Sequence, residues 1–146
     1  MQIRKMTIED YDGVYQLWLS TPGMGLNTAD DSKEGIEKYL NRNPETCFIA
    51  QEGSEIVGVI MSGHDGRRGF IYHAAVKAST RTQGIGSALV GKAMFALEAE
   101  GINKVALVVR SCNVLGSSFW EKRGFKIQED VVYRSRNINQ LSHINT

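Results

Sequence analysis

The sequence contains few cysteines, and their spacing does not match a disulfide framework or a metal site. Cys47 and Cys112 are the only two cysteines, and no second thiol or histidine stands at a metal-ligand or redox spacing from either. Reduced, buried thiols are therefore expected, which is typical of a cytoplasmic protein. The first residues carry acids where a signal peptide needs an apolar stretch, so secretion is not expected.

The sequence also lacks an excess of charge of either sign and any long apolar run. Seventeen Lys and Arg stand against 16 Asp and Glu, for a net charge of +1. Nucleic-acid and membrane-surface proteins usually show a basic excess, so neither partner is expected. No apolar run approaches the length of a transmembrane helix.

What is present suits one globular domain over residues 1–146, since 42% of the 146 residues are hydrophobic. The polar tail from about residue 138 is expected to fray. Helical and alternating periodicities predict an α/β fold, a mixed and mostly antiparallel sheet flanked by helices, in the order β-α-α-β-β-β-α-β-α-β-β. Its expected elements are a strand at 2–6, a helix to Leu19, a helix from about Asp31, strands at 46–52, 56–63 and 70–77, a helix from Gly84, a strand at 104–110, a helix ending at Gly124, and a hairpin of 125–130 with 131–138.

The stretch RTQGIGSALV places two glycines behind an arginine where a strand gives way to a helix. Unpaired N–H groups of a first helical turn attract anions, and absent Cβ atoms at Gly84 and Gly86 allow close approach. Arg81 adds a charge-assisted contact. A dinucleotide fingerprint is excluded because position 89 is leucine, and a P-loop because Gly86 is not followed by lysine.

Two segments, VKASTRTQGIGSAL and NVLGSSFWEKRGF, together resemble the GCN5-related N-acetyltransferase (GNAT) superfamily. The stretch VKASTRTQGIGSAL (residues 76–89) resembles its acyl-CoA-binding signature, and NVLGSSFWEKRGF (residues 113–125) resembles its second segment. The predicted order of elements is also that of the family. The resemblance implies a GNAT-type fold and acetyl-CoA as cosubstrate, with no metal.

The resemblance further implies which residues bind acetyl-CoA. Val76 and Ala74 would pair their backbone with the pantetheine arm, and the N–H of Val76 would polarise the acetyl carbonyl. Asn113 would bind the pantetheine arm or the departing thiol. The pyrophosphate would take the backbone N–H groups of Gln83, Gly84, Ile85, Gly86, Ser87 and Ala88, with Arg81 beside them.

The implied reaction is direct attack of a primary amine, of a small molecule or peptide, on the thioester. His73 is the first candidate for the base that deprotonates the amine, although burial against a helix with a backbone partner explains it equally well. Tyr72, expected on the opposite face of the strand, is the second candidate. The family's usual acid, a tyrosine, is replaced by Trp120, which cannot supply a proton; Tyr133 and Ser117 are substitutes.

The amine acceptor would be bound by the first two helices, the loop between them and the late hairpin. Trp18 and Asp30 are the candidates, while Asp31 is expected rather to cap the second helix. Dimers are frequent in the family, so a homodimer stays open. A rival interpretation, favoured by Trp120, is an acyl-CoA-binding sensor or regulatory module with little turnover.

Overall fold

A five-stranded sheet forms the centre of the structure, a computed structural model that describes residues 1–146. Its strands are β1 Gln2–Lys5, β3 Phe48–Glu52, β4 Glu55–His64, β5 Gly69–Val76 and β6 Val105–Ala106, while the short strand β2 Leu26–Asn27 belongs to a second sheet. The five strands lie in the order β1-β3-β4-β5-β6, and all neighbours are antiparallel except β5 and β6, which run parallel. The mixed, mostly antiparallel sheet that the sequence predicts is confirmed.

Four helices cover the two faces of this sheet: α1 Tyr11–Leu19, α2 Lys33–Arg42, α3 Ile85–Ala99 and α4 Val114–Lys122. On one face α1 and α2 bury an apolar cluster that includes Trp18, Leu40 and Val59. On the other face α3 buries Leu89 and Ala93 against Ile60, its apolar residues falling at helical spacing as the sequence predicts. No helix has the length and apolar character needed to cross a membrane.

A β-bulge in β5 changes the direction of two side chains. Ile71 pairs with Ser62 and Ala74 pairs with Ile60, so Tyr72 and His73 together oppose one residue of β4. Such an insertion breaks the alternation of side chains between the two faces. Both Tyr72 and His73 consequently contact residues of the face covered by α1 and α2. The expectation that Tyr72 lies on the opposite face from His73 is wrong.

The C-terminal region differs from its prediction. No strand forms between residues 125 and 141, and Ile127, Val131 and Val132 are exposed there. A hairpin needs a sheet or helix on which to bury its apolar face, and β6 is too short to offer a ladder. The expected fraying is also wrong, because β7 His143–Ile144 pairs with β2 Leu26–Asn27 in the loop after α1.

The predicted strand over residues 104–110 is shorter than its apolar run. Only Val105 and Ala106 pair with β5, and Val108 is 57% exposed. A continuous apolar strand is buried by neighbours on both sides. With no hairpin on its outer side, the run leaves the sheet after Ala106 and diverges from β5.

Candidate functional site

The glycine turn, residues 81–86, joins β5 to α3 in a backbone conformation that few residues adopt. Gly84 stands immediately before α3 with φ +80°, and Thr82 is the one non-glycine residue with positive φ, at 69°. A β-branched residue in that region is strained, and such strain tends to occur where a backbone binds a ligand. The N–H groups of the first turn of α3 have no intrahelical partners.

Gly86 serves a packing need as well. A Cβ built on it would lie 3.2 Å from two ring carbons of Phe119 and 3.7 Å from a methyl of Val76. The missing side chain therefore lets α4 approach the start of α3. Close approach of an anion, the explanation given by the sequence, and this packing contact both favour a glycine at this position.

Two arginines flank the glycine turn. Arg81 donates from Nε to the carbonyl of Val76 at 3.2 Å. Arg123, at the end of α4, donates to the hydroxyl of Ser87 and lies 4.5 Å above the ring of Phe119. Sequence reasoning missed Arg123, although its place in the segment WEKRGF was a signal that could have identified it.

The edge of β5 beside the turn has no strand partner. On the β6 side only Gly69 and Phe70 are paired, so residues 71–76 present their backbone groups on that side to a gap. Ala74 and Val76, the predicted pantetheine partners, lie in this stretch, and a 3-10 turn at Ala78–Thr80 connects its end to the glycine turn. An extended ligand with amide groups can add to such an edge as a strand does.

Asn113 lies at the start of α4, and its side chain accepts a hydrogen bond from the N–H of Gly116 at 2.9 Å. It therefore caps that helix. Its amide nitrogen donates no protein hydrogen bond, which leaves the predicted contact with the cosubstrate available.

His73 and Asp31 form a hydrogen-bonded pair beneath the other face of β5. Nε2 of His73 lies 2.8 Å from Oδ1 of Asp31, and their side chains are only 14% and 5% exposed. The second oxygen of Asp31 accepts from the N–H of Asn27 at 2.8 Å. The expectation that Asp31 caps the second helix is wrong, since the hydroxyl of Ser32 accepts from Gly35 there and Asp31 is turned toward β5.

Three buried polar atoms have no hydrogen-bond partner: Nδ1 of His73, Nε1 of Trp18 and the hydroxyl of Tyr39. The rings of Trp18 and His73 meet edge to face with centroids 5.0 Å apart. Asp30 is exposed and accepts from the side chain of Asn27 at 3.0 Å. The structure thus brings Trp18 and His73 together and leaves Asp30 on the surface of the neighbouring loop.

Tyr72 is 60% exposed on the same face. Its ring lies 4.6 Å from that of Phe70 and 5.7 Å from that of Tyr39 in α2, between centroids. Burial raises the pKa of Tyr39 far above its usual range, so that hydroxyl stays protonated. These three rings form an aromatic wall next to the His73–Asp31 pair.

The residues considered for the acid step lie on α4 and in the C-terminal segment, with Ser117 half-buried in α4. Trp120 packs edge-on between Phe119 and Phe125, at 5.1 and 5.3 Å between centroids. Tyr133 is 71% exposed in the segment without strands. Cys112 is exposed rather than buried as expected, because the run from Leu107 leaves the sheet before reaching it.

A polar cavity of about 490 Å³ lies beside α1 and contains none of the predicted site residues. Its wall includes Arg4, which donates to both oxygens of Asp10 at 2.9 and 2.8 Å. Burial raises the pKa of Asp10, but the hydrogen bonds from Arg4 and from the N–H of Thr7 outweigh it and hold that pKa below its usual value. The cavity is thus lined by a satisfied ion pair.

Comparison with known sequences gives matches over nearly the full length. The profile described as the acetyltransferase (GNAT) family matches residues 11–125. An acetyltransferase of Sodalis glossinidius is 34% identical over 132 residues, covering 90% of this chain and 92% of that protein. An acetyltransferase of Pectobacterium atrosepticum is 32% identical over 143 residues, covering 98% and 100%.

Solved structures share the fold at lower identity. The PaiA N-acetyltransferase of Thermoplasma acidophilum, solved with coenzyme A, superposes with a TM-score of 0.76 at 22% identity, covering 88% of this chain and 91% of that one. An aminoglycoside acetyltransferase from an uncultured soil sample, solved with sisomicin, gives 0.70 at 20% identity, covering 94% and 96%.

Proposed function

Because the chain belongs to the acetyltransferase (GNAT) family, we propose that it transfers the acetyl group of acetyl-CoA directly to a primary amine of a small molecule or peptide. The observation that carries this proposal is the edge of β5 at residues 71–76, which has no strand partner on the β6 side and is followed, after one 3-10 turn at Ala78–Thr80, by the glycine turn. The open edge of β5 suits the extended amide arm of a ligand, and the anion site that follows it suits a pyrophosphate at the end of that arm.

In this proposal acetyl-CoA lies along the open edge of β5. The backbone of Ala74 and Val76 binds the pantetheine arm, and the N–H of Val76 donates to the acetyl carbonyl as negative charge develops on it. The N–H groups of residues 83–87 bind the pyrophosphate, with Arg81 and Arg123 supplying positive charge on either side. The N–H of Ala88, which the sequence also assigned to the pyrophosphate, donates instead to the carbonyl of Gly84 at 3.0 Å. Asn113 donates its amide to the arm or to the departing sulfur.

Removal of a proton from the incoming ammonium falls to His73. Val76 lies three residues after His73 along the extended strand, a span of about 10 Å. The ring therefore acts on the amine through a water molecule, an arrangement that general bases use. Tyr72, on the same face but without a carboxylate partner, is the less suited candidate.

The leaving thiolate receives its proton from water or from a hydroxyl, since Trp120 has no acidic proton and Tyr133 lies in the exposed C-terminal segment. Trp18 and Asp30, from α1 and the loop after it, would contact the acceptor. The relative solved with sisomicin supports an amine as the acceptor class. The free cysteines agree with a cytoplasmic location.

Release of free CoA from acetyl-CoA, measured against polyamines, amino acids, aminosugars and peptide N-termini, tests the proposal. Release that depends on one amine class is the expected result and identifies the acceptor. Tight binding of acetyl-CoA, without release of CoA in the presence of any amine, would favour the rival function, an acyl-CoA-binding module. The tryptophan at position 120 also favours that function. A Trp120→Tyr variant that then gains turnover would attribute the lack of activity to that residue.

A further inference from the structure

We propose that Asp31 is a positioning residue for the acetyl transfer: it fixes the His73 ring in the tautomer that carries its proton on Nε2, so that Nδ1 is the atom that takes the proton of the amine. This assignment rests on the proposed function. It concerns the loop between α1 and α2, which no sequence motif marks.

The carboxylate of Asp31 is held on both oxygens. Oδ1 faces Nε2 of His73 at 2.8 Å, and Oδ2 accepts the N–H of Asn27, also at 2.8 Å. The backbone carbonyl of Asp31 accepts the hydroxyl of Tyr11 at 2.6 Å. With the side chain and the backbone both fixed, the carboxylate sets the position and the orientation of the ring.

The tautomer follows from the chemistry of the pair. An ionised carboxylate only accepts hydrogen bonds, so the hydrogen between the two side chains belongs to Nε2 of His73. The lone pair then lies on Nδ1, which is buried without any partner. A buried acceptor without a donor is unfavourable, and a native structure keeps one where a ligand or water completes it.

A second histidine–carboxylate pair shows what a purely structural arrangement looks like in this chain. Nε2 of His64 lies 2.7 Å from Glu100, and its Nδ1 accepts the N–H of Gly66 at 2.9 Å. Both ring nitrogens of His64 are therefore satisfied by the protein. Of the two paired histidines, only His73 keeps a buried ring nitrogen without a partner.

The proton step balances as follows. The ammonium of the acceptor gives one proton, through a water, to Nδ1 of His73, and the imidazolium that forms is neutralised by Asp31. The free amine forms the C–N bond while the C–S bond of the thioester breaks. The second proton lost by nitrogen goes to the departing CoA thiolate, directly or through solvent.

Nitrogen-15 NMR of the histidine rings tests the tautomer in the protein alone. We expect Nδ1 of His73 to be unprotonated and Nε2 to carry the hydrogen in the wild-type protein, with His64 as an internal reference of the same pattern. In Asp31→Asn the His73 ring should populate both tautomers. A wild-type His73 that carries its hydrogen on Nδ1 would overturn the proposal. This measurement uses only the wild-type protein, so it does not depend on whether a variant folds.

Kinetics with the acceptor found by the CoA-release assay test the role in catalysis. Asp31→Asn should lower kcat by about tenfold or more, a part of the 10²- to 10⁴-fold that a general base contributes, with the affinity for acetyl-CoA unchanged. Glu100→Gln, which removes the carboxylate of the other pair, is the matched control and should leave kcat unchanged.

An Asp31→Asn enzyme that turns over as fast as Glu100→Gln would overturn the proposal while leaving the acetyltransferase function intact. Absence of turnover in the wild-type protein would instead refute the proposed function, whatever the NMR shows. A fall in kcat that Asp31→Asn shares with an equal fall in acetyl-CoA affinity would point to a structural role and would likewise overturn it.

Discussion

Substituting Gly86 by valine tests the glycine turn most sharply, because two consequences of the change have sizes that the structure sets. The new Cβ would lie 3.2 Å from two ring atoms of Phe119, so the ring must move, and two further methyls add to the crowding. Overpacking of this kind costs about 1–3 kcal/mol of stability. The fold should survive that loss, since a domain of this size has about 5–15 kcal/mol.

The same substitution should also weaken the binding of acetyl-CoA. Because the valine side chain is directed at Phe119 and Val76, relief of the crowding shifts the backbone of the turn and with it the N–H groups proposed to bind the pyrophosphate. A hydrogen bond to a charged group contributes about 1.5–3 kcal/mol, so losing one weakens acetyl-CoA binding by about tenfold to a hundredfold. Isothermal titration with acetyl-CoA measures this loss, and thermal unfolding of the same sample measures the stability.

Gly91→Ala is the matched control in the same helix. A Cβ at Gly91 meets nothing within 4 Å, and alanine is the better helix former by about 1 kcal/mol. This variant should bind acetyl-CoA as the wild type does and unfold at a higher temperature. Wild-type affinity in Gly86→Val would refute the assignment of the glycine turn to the pyrophosphate.

Two further predictions concern stability and reactivity away from the turn. Because the pKa of Asp10 is held below its usual value, its pairing with Arg4 stabilises the fold fully above about pH 4, the ordinary aspartate value. That stabilisation is lost as the pH falls through the lower folded pKa. The free energy of unfolding, measured in urea from pH 3 to 7, should therefore depend less on pH in Asp10→Asn than in the wild type. An equal pH dependence in the two proteins would contradict the pairing. Burial raises the pKa of the Cys47 thiol to about 12, while Cys112 is exposed. Alkylation of the native protein followed by mass spectrometry should modify Cys112 alone, and rapid labelling of Cys47 would contradict the packing described.

Local signals predicted most of the fold. The periodicity around Leu89 and the glycines at 84 and 101 define α3, whose bounds agree with the structure. The meander of β3, β4 and β5 follows from alternating apolar residues and short turns. Such features depend on residues close together in the chain, which is why sequence patterns reveal them.

The failures depend on partners distant in sequence. The bulge at Tyr72 and His73 requires the register with β4, which alternation alone does not give. The tail is ordered by two residues after α1, Leu26 and Asn27. Residues 104–110 were predicted as a strand from their continuous apolar run, and residues 125–138 as a hairpin, but each needed the other as its neighbour.

The candidate site was predicted to a similar extent. The backbone groups of Ala74, Val76 and the glycine turn follow from the two GNAT-like segments, because backbone binding needs only the right local conformation. The partner of His73 was not predicted. Asp31 belongs to a loop, and the 2.8 Å contact between them depends on how α1, α2 and the bulge pack together.

The measurement that tests the central claim most directly is a map of backbone amide shifts on titration with coenzyme A. The account predicts that the largest changes in the ¹⁵N–¹H spectrum fall on Ala74, Val76 and residues 83–87, with smaller ones at Asn113. Changes confined to the polar cavity beside α1, around Arg4 and residues 51–56, would contradict it, because coenzyme A would then bind away from the open edge of β5.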